Sequence, residues 1–125
     1  MKRALPHSED DWSARTTLQD GIPVVTISGD VDAHTAPALN AVLAAQLRRR
    51  PAALVVHLGA VSYFDSSGLA VLLDTRELAA SQHVPVHLAA ISPRVLASLE
   101  VTGLTGLFPR HATVREAVRA HARSV

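Results

Sequence analysis

The sequence contains no cysteine, which excludes disulfides and thiolate metal sites and leaves the redox compartment unreadable from thiols. Aromatic residues make up only 3%, so a core has to be filled by alanine, valine and leucine, a composition suited to helices packed closely on a sheet. An excess of one charge is missing too. Twelve Lys and Arg face 11 Asp and Glu, which gives no broad field of the kind that holds nucleic acid or an anionic membrane. No stretch approaches the roughly 20 unbroken apolar residues of a membrane span. Met1 to Asp11 begins basic but has no apolar run behind it, so no secretory signal is expected and the cytoplasm is the expected compartment.

What is present fits one domain: 125 residues with 48% hydrophobic content suffice for a single core. Residues 1–11 carry Lys2, Arg3, Pro6, Ser8, Glu9, Asp10 and Asp11 and read as a flexible tail ahead of a domain over 12–125. Trp12 to Leu18 and Ile22 to Ser28 are β-prone runs joined at Asp20-Gly21, a pair suited to the positive φ angles of a hairpin turn. Thr35 and Pro37 open a helix through Arg50, whose Leu39, Val42, Leu43 and Leu47 recur at helical steps. Arg48, Arg49 and Arg50 then sit where the helix dipole favours positive charge.

Ala52 to Leu58 reads as a strand covered on both faces, followed by a loop from Gly59 to Phe64. A second helix is expected over Ser66 to Ala80, with Leu69, Leu72, Leu73 and Leu78 inward, and a strand over Val84 to Ala90. Ser92 and Pro93 open a short helix that Gly103 stops. Leu104 to Phe108 reads as a last short strand. Thr113 and Glu116 have the spacing of a capping box for a terminal helix that turns Val114, Ala117 and Val118 inward. The fold class is therefore α/β, a mixed sheet of four or five strands flanked by about four helices.

The most informative stretch is Tyr63-Phe64-Asp65-Ser66-Ser67-Gly68-Leu69, which places two hydroxyls and a carboxylate at the entrance of a buried helix. Backbone N–H groups there lack helical partners and favour negative charge. A phosphate on Ser66 or Ser67 would bring roughly −1.5 to −2 charges to those donors, and the helix is expected to survive it. The altered surface would then be the signal. The same residues also suit a plain cap, with Gly68 allowing close packing, and Asp30 and Asp32 also suit strand termination.

Asp65-Ser66-Ser67-Gly68-Leu69 after an apolar strand, with Gly29-Asp30-Val31-Asp32 and Thr35-Ala36-Pro37, resembles the STAS domain of bacterial anti-sigma factor antagonists. The likeness extends to Thr102-Gly103-Leu104, Leu107-Phe108 and the last helix, about residues 12 to 122. It implies a protein-binding module and not an enzyme. In that family the second serine of the motif, here Ser67, is phosphorylated by an anti-sigma factor that is itself a serine kinase; Ser66 is the second choice. The unmodified domain would bind the kinase and free a sigma factor until phosphorylation breaks the complex, and a phosphatase would reset it. ATP would be the kinase's ligand, so no cofactor is expected here. The implied partner surface comprises Asp30, Asp32, Thr35, Asp65, Ser66, Ser67, Gly68 and Leu69. The family usually shows Gly-Glu-Leu-Asp where this sequence has Gly29-Asp30-Val31-Asp32, so Asp32 is the closer match. The rival within the same fold is a constitutive scaffold or transporter-associated subunit whose serines are never modified.

Other chemistry fits less well. A serine hydrolase would want Gly-x-Ser-x-Gly at a sharp elbow, and the first glycine is absent. A phosphoacceptor receiver needs a downstream lysine, whereas Lys2 is the only one. No Gly-x-x-x-x-Gly-Lys loop exists for nucleotide phosphates. His83 and His87 flank Pro85 in a strand region, so they do not form a helical metal pair, and the histidines read as scattered over the surface.

Overall fold

A computed structural model of the chain describes residues 12–124, so the expected tail at 1–11 lies outside the described residues. The chain opens with β1 (Trp12–Gln19) and β2 (Ile22–Val31), an antiparallel pair. Asp20 and Gly21 have φ of 53° and 79°, the left-handed conformation that a tight hairpin needs at both turn positions. Then follow α1 (Ala36–Arg48), β3 (Leu54–Phe64), α2 (Ser66–Ser81), β4 (Val86–Ala89), α3 (Pro93–Val101), β5 (Arg110–His111) and α4 (Val114–Ser124). The sheet runs in the order β1-β2-β3-β4-β5, with β2 to β5 mutually parallel.

Alternation along the strands sorts their side chains between two faces. One face buries Val25, Ile27, Leu54, Val56, Val86 and Leu88 against Leu39, Leu43 and Leu47 of α1, Leu72 of α2, and Val95 and Leu99 of α3. The other buries Ile22, Val24, Val55 and Ala89 under Ala117 and Val118 of α4, with Val114 packed beside them. Each fully buried leucine contributes roughly 1.5–3 kcal/mol through removal from water, so aliphatic packing replaces the missing aromatics.

Four expectations are corrected. Residues 59–64 are not a loop: β3 continues to Phe64 because Ala60, Val61, Tyr63 and Phe64 pair with Ser28, Gly29, Asp30 and Val31. Leu104 to Phe108 is not a strand but contains a 3-10 turn at Thr105–Leu107, and the edge strand forms beyond it at Arg110–His111. Leu78 faces outward, 39% exposed, whereas Leu69 and Leu72 are buried. The histidines are not all superficial, since His87 is buried among the core residues. The caps of α3 and α4 follow the sequence closely, whereas the Thr35 side chain turns back to Asp30 and Asp32 and does not cap α1. Ser92 Oγ accepts the Val95 amide, and Thr113 Oγ1 accepts the Glu116 amide, while Glu116 reaches back one residue further than expected, to the Ala112 amide.

Candidate functional site

Because β2 and β3 are parallel neighbours, with Asp30 opposite Tyr63 and Val31 opposite Phe64, their carboxyl ends deliver both acidic segments to one edge of the sheet. Ligands of open α/β sheets collect at such ends. Ser62 Oγ donates to Asp30 Oδ1 at 3.0 Å, which joins the two strand ends across the surface. The Tyr63 hydroxyl donates to Asp65 Oδ2 at 3.4 Å.

Asp65 is the N-cap of α2. Its backbone is extended, and its Oδ1 accepts the Ser67 amide at 2.9 Å, which satisfies a first-turn donor. Ser66 is exposed at the first helical position and Ser67 half-buried at the second. Gly68 packs so tightly that a Cβ would stand 2.5 Å from the Phe64 ring and 2.8 Å from Val31 Cγ1. The glycine thus lets the helix start descend onto the ends of β2 and β3, and that descent sets where the two serines emerge. Leu69 is buried behind them.

Asp32 and Thr35 occupy a different environment. Both are buried, at 6% and 2% exposure, and they hold the turn from β2 into α1. Asp32 Oδ1 accepts the amides of His34 and Thr35 at 2.9 and 3.1 Å. Thr35 Oγ1 accepts the Asp32 amide and donates to the Asp30 carbonyl. Of the eight residues expected at the surface, Asp30, Asp65, Ser66 and Ser67 therefore present polar atoms at the edge, whereas Asp32, Thr35, Gly68 and Leu69 lie beneath it and shape it.

Sequence reasoning missed three neighbours. Tyr63 lies at the rim, and its hydroxyl is held protonated to a pH above the ordinary value of 10.0, chiefly by the Asp65 carboxylate; Asp32 acts in the same direction and Arg94 opposes it. Arg94 and Val101 come from α3, which closes a shallow groove of about 340 Å³ with Phe64, Asp65, Ser66 and Leu69. Val101 is 87% exposed. Tyr63 adjoins the serine motif and was open to detection there, but no spacing rule links that motif to α3.

Fold and site together define an α/β domain that carries a carboxylate-capped serine pair at the joined ends of two parallel strands. Residues 13–117 match the STAS domain, and the chain belongs to that family. It is 32% identical over 92 residues to the anti-sigma-B factor antagonist of Staphylococcus aureus strain NCTC 8325, covering 74% of this chain and 85% of that protein. The crystal structure of an anti-sigma factor antagonist from Mycobacterium paratuberculosis superposes with a TM-score of 0.83 at 32% identity, over 92% of this chain and 97% of that one. The anti-sigma factor antagonist SpoIIAA in its unphosphorylated form shares the fold at 20% identity and a TM-score of 0.75, over 90% and 98% of the two chains. SpoIIAA has also been solved phosphorylated, and that structure matches at 19% identity with a TM-score of 0.69, covering 86% of this chain and 98% of that one. Among the described residues no helix is long and apolar enough to cross a membrane.

Proposed function

We propose that the protein is a cytoplasmic anti-sigma factor antagonist whose binding surface is switched by phosphorylation of Ser67. The unmodified domain docks an anti-sigma factor serine kinase and releases a sigma factor. Transfer of phosphate from the kinase's ATP to Ser67 Oγ ends the complex, and a phosphatase acting on phosphoserine restores it. The observation that carries this reading is the half-buried Ser67 on the first turn of α2, directly beside the Asp65 carboxylate that already occupies its amide. A dianion introduced there meets Asp65 and the neighbouring Asp30, so its charge is felt at the surface. A loss of 1.4 kcal/mol already weakens association tenfold.

The buried Asp32 and Thr35 contribute by fixing the β2 end, and Gly68 by seating the serines. The groove against α3 supplies apolar area beside Ser66, one residue before the modified serine, with Val101 at its rim. Incubation with ATP and a candidate anti-sigma kinase tests the reading: one phosphate should appear by mass spectrometry and vanish in Ser67→Ala. Pull-down of the kinase should succeed with the unmodified protein and fail with Ser67→Glu. A phosphate that persists in Ser67→Ala but is lost in Ser66→Ala would move the site by one residue. Binding indifferent to the modification would sink the switch.

A further inference from the structure

β4, β5 and α4 gather three histidines on the face of the sheet opposite α1, α2 and α3. His87 in β4 is 6% exposed, and its Nδ1 lies 2.9 Å from Nε2 of His111 in β5, with ring centroids 5.0 Å apart. His121 continues the inward stripe of α4 set by Val114, Ala117 and Val118, at the three- and four-residue steps of a helix face. It meets His87 edge-on, centroids 6.4 Å apart. Among the described residues, His87 Nε2 and His121 Nδ1 are buried without a hydrogen-bond partner. Among the described residues no group of three or more metal-ligating side chains is arranged to hold a metal ion, so proton chemistry is the relevant property of the cluster.

Among the described residues, the surroundings offer little to balance an added positive charge. On β3, Val55 pairs with His87, and His57 shares its face two residues on, where His57 Nδ1 accepts the Gly59 amide at 3.3 Å. On β5, Arg110 pairs with Leu88 and so belongs to the opposite face. On α4, Arg115, Arg119 and Arg123 are exposed, and the Glu116 carboxylate is engaged by the Ala112 amide.

We propose that His87, His111 and His121 form a proton-operated latch that seats α4 on the sheet and releases it as the cluster acquires charge. The bond between His87 Nδ1 and His111 Nε2 holds one proton between two nitrogens. Once both nitrogens carry a proton, the bond is lost and an imidazolium N–H faces the N–H of the neighbouring ring, with a third imidazole alongside. Burial first, and then the two neighbouring rings, hold the pKa of His87 below the ordinary 6.5. A depressed folded-state pKa means that the stabilisation is present above the unfolded value and is lost as pH falls through the folded one. Acidification therefore loosens α4, and with it the cover over Val24, Val55 and Ala89.

Hydrogen exchange of the full chain at pH 7.5 and 5.5, corrected for the intrinsic pH dependence of amide exchange, tests the latch. Peptides from Val114–Ser124 should lose protection several-fold at pH 5.5 while those from α1 and α2 keep theirs. His87→Phe should remove the difference. If that variant does not fold, His111→Gln, at a more exposed position, serves the same comparison. Equal α4 protection at both pH values would overturn the proposal. So would a uniform loss across all helices, or a difference that disappears when EDTA is present throughout.

Discussion

The Thr35 hydroxyl accepts the Asp32 amide at 3.0 Å while the Asp32 carboxylate accepts the Thr35 amide at 3.1 Å, a reciprocal clasp in a buried turn. The same hydroxyl donates to the Asp30 carbonyl at 2.9 Å, so one side chain fixes the end of β2 and the start of α1 together. Thr35→Val keeps the shape but removes both the donor and the acceptor. Leaving such buried groups unmatched costs about 1–3 kcal/mol. Denaturant titration should show a lower midpoint with an unchanged slope, and Thr35→Ser should retain most of the stability. Equal stability of the valine variant and the parent would refute the clasp.

Gly68 is required for space, because an added Cβ would stand 2.8 Å from Val31 Cγ1 and closer still to the Phe64 ring. Gly68→Ala therefore forces Phe64 or the helix start to move. Overpacking of this kind costs about 1–3 kcal/mol. Thermal unfolding should register that loss, and kinase binding should weaken beyond it, since the displaced turn carries Ser66 and Ser67. Gly106 offers the control, because nothing lies within 4 Å of a Cβ there and Gly106→Ala should leave binding as it is.

Much of this arrangement was legible in the chain because it is local. Asp20-Gly21 announces the hairpin, Ser92-Pro93 the start of α3, and Asp65 the cap of α2. The extent of β3 was not legible. Its last residues include exposed Ser62 and Tyr63, and two register irregularities in its pairing with β2 break the alternation that marks a strand. β5 is two residues long and exists through its pairing with Leu88 and Ala89, so no periodicity could reveal it. The histidine cluster depends on that same pairing and on the docking of α4. Of the site, the strand ends and the serine turn could be placed together from the parallel topology. Arg94 and Val101 could not, because only tertiary packing brings α3 to them.

Tyr63 reports on Asp65 without a partner protein. Ionising the phenol beside the Asp65 carboxylate creates a second negative charge and removes the donor of their hydrogen bond, which is why its pKa stands above 10.0. The sequence has a single tyrosine, so absorbance of the phenolate follows this group alone. Asp65→Asn should move the titration midpoint down towards the ordinary value. It should also keep the α2 cap, because asparagine is as good an N-cap as aspartate, whereas Asp65→Ala should cost about 1 kcal/mol of stability. A midpoint unmoved in Asp65→Asn would show that the carboxylate does not govern the phenol.

Phosphorylation of Ser67 should alter binding far more than it alters the fold. At the N-terminus of α2 the helix dipole favours a negative group by about 0.3–1 kcal/mol. Repulsion from Asp65, half-buried like Ser67 at the helix start, opposes it by a similar amount, at the upper end of what like-charge pairs on helices show. These terms nearly cancel, so the thermal midpoint of the phosphorylated domain should lie within about 4–8 °C of the unmodified one, the shift that roughly 1 kcal/mol produces in a domain of about 100 residues. The partner has no such compensation, since it must desolvate the added charge or leave. Circular dichroism melts of both forms, read beside their affinities for the kinase, separate the two effects. A collapse of the melting temperature that tracks the loss of affinity would make unfolding the signal and would remove the surface from the mechanism.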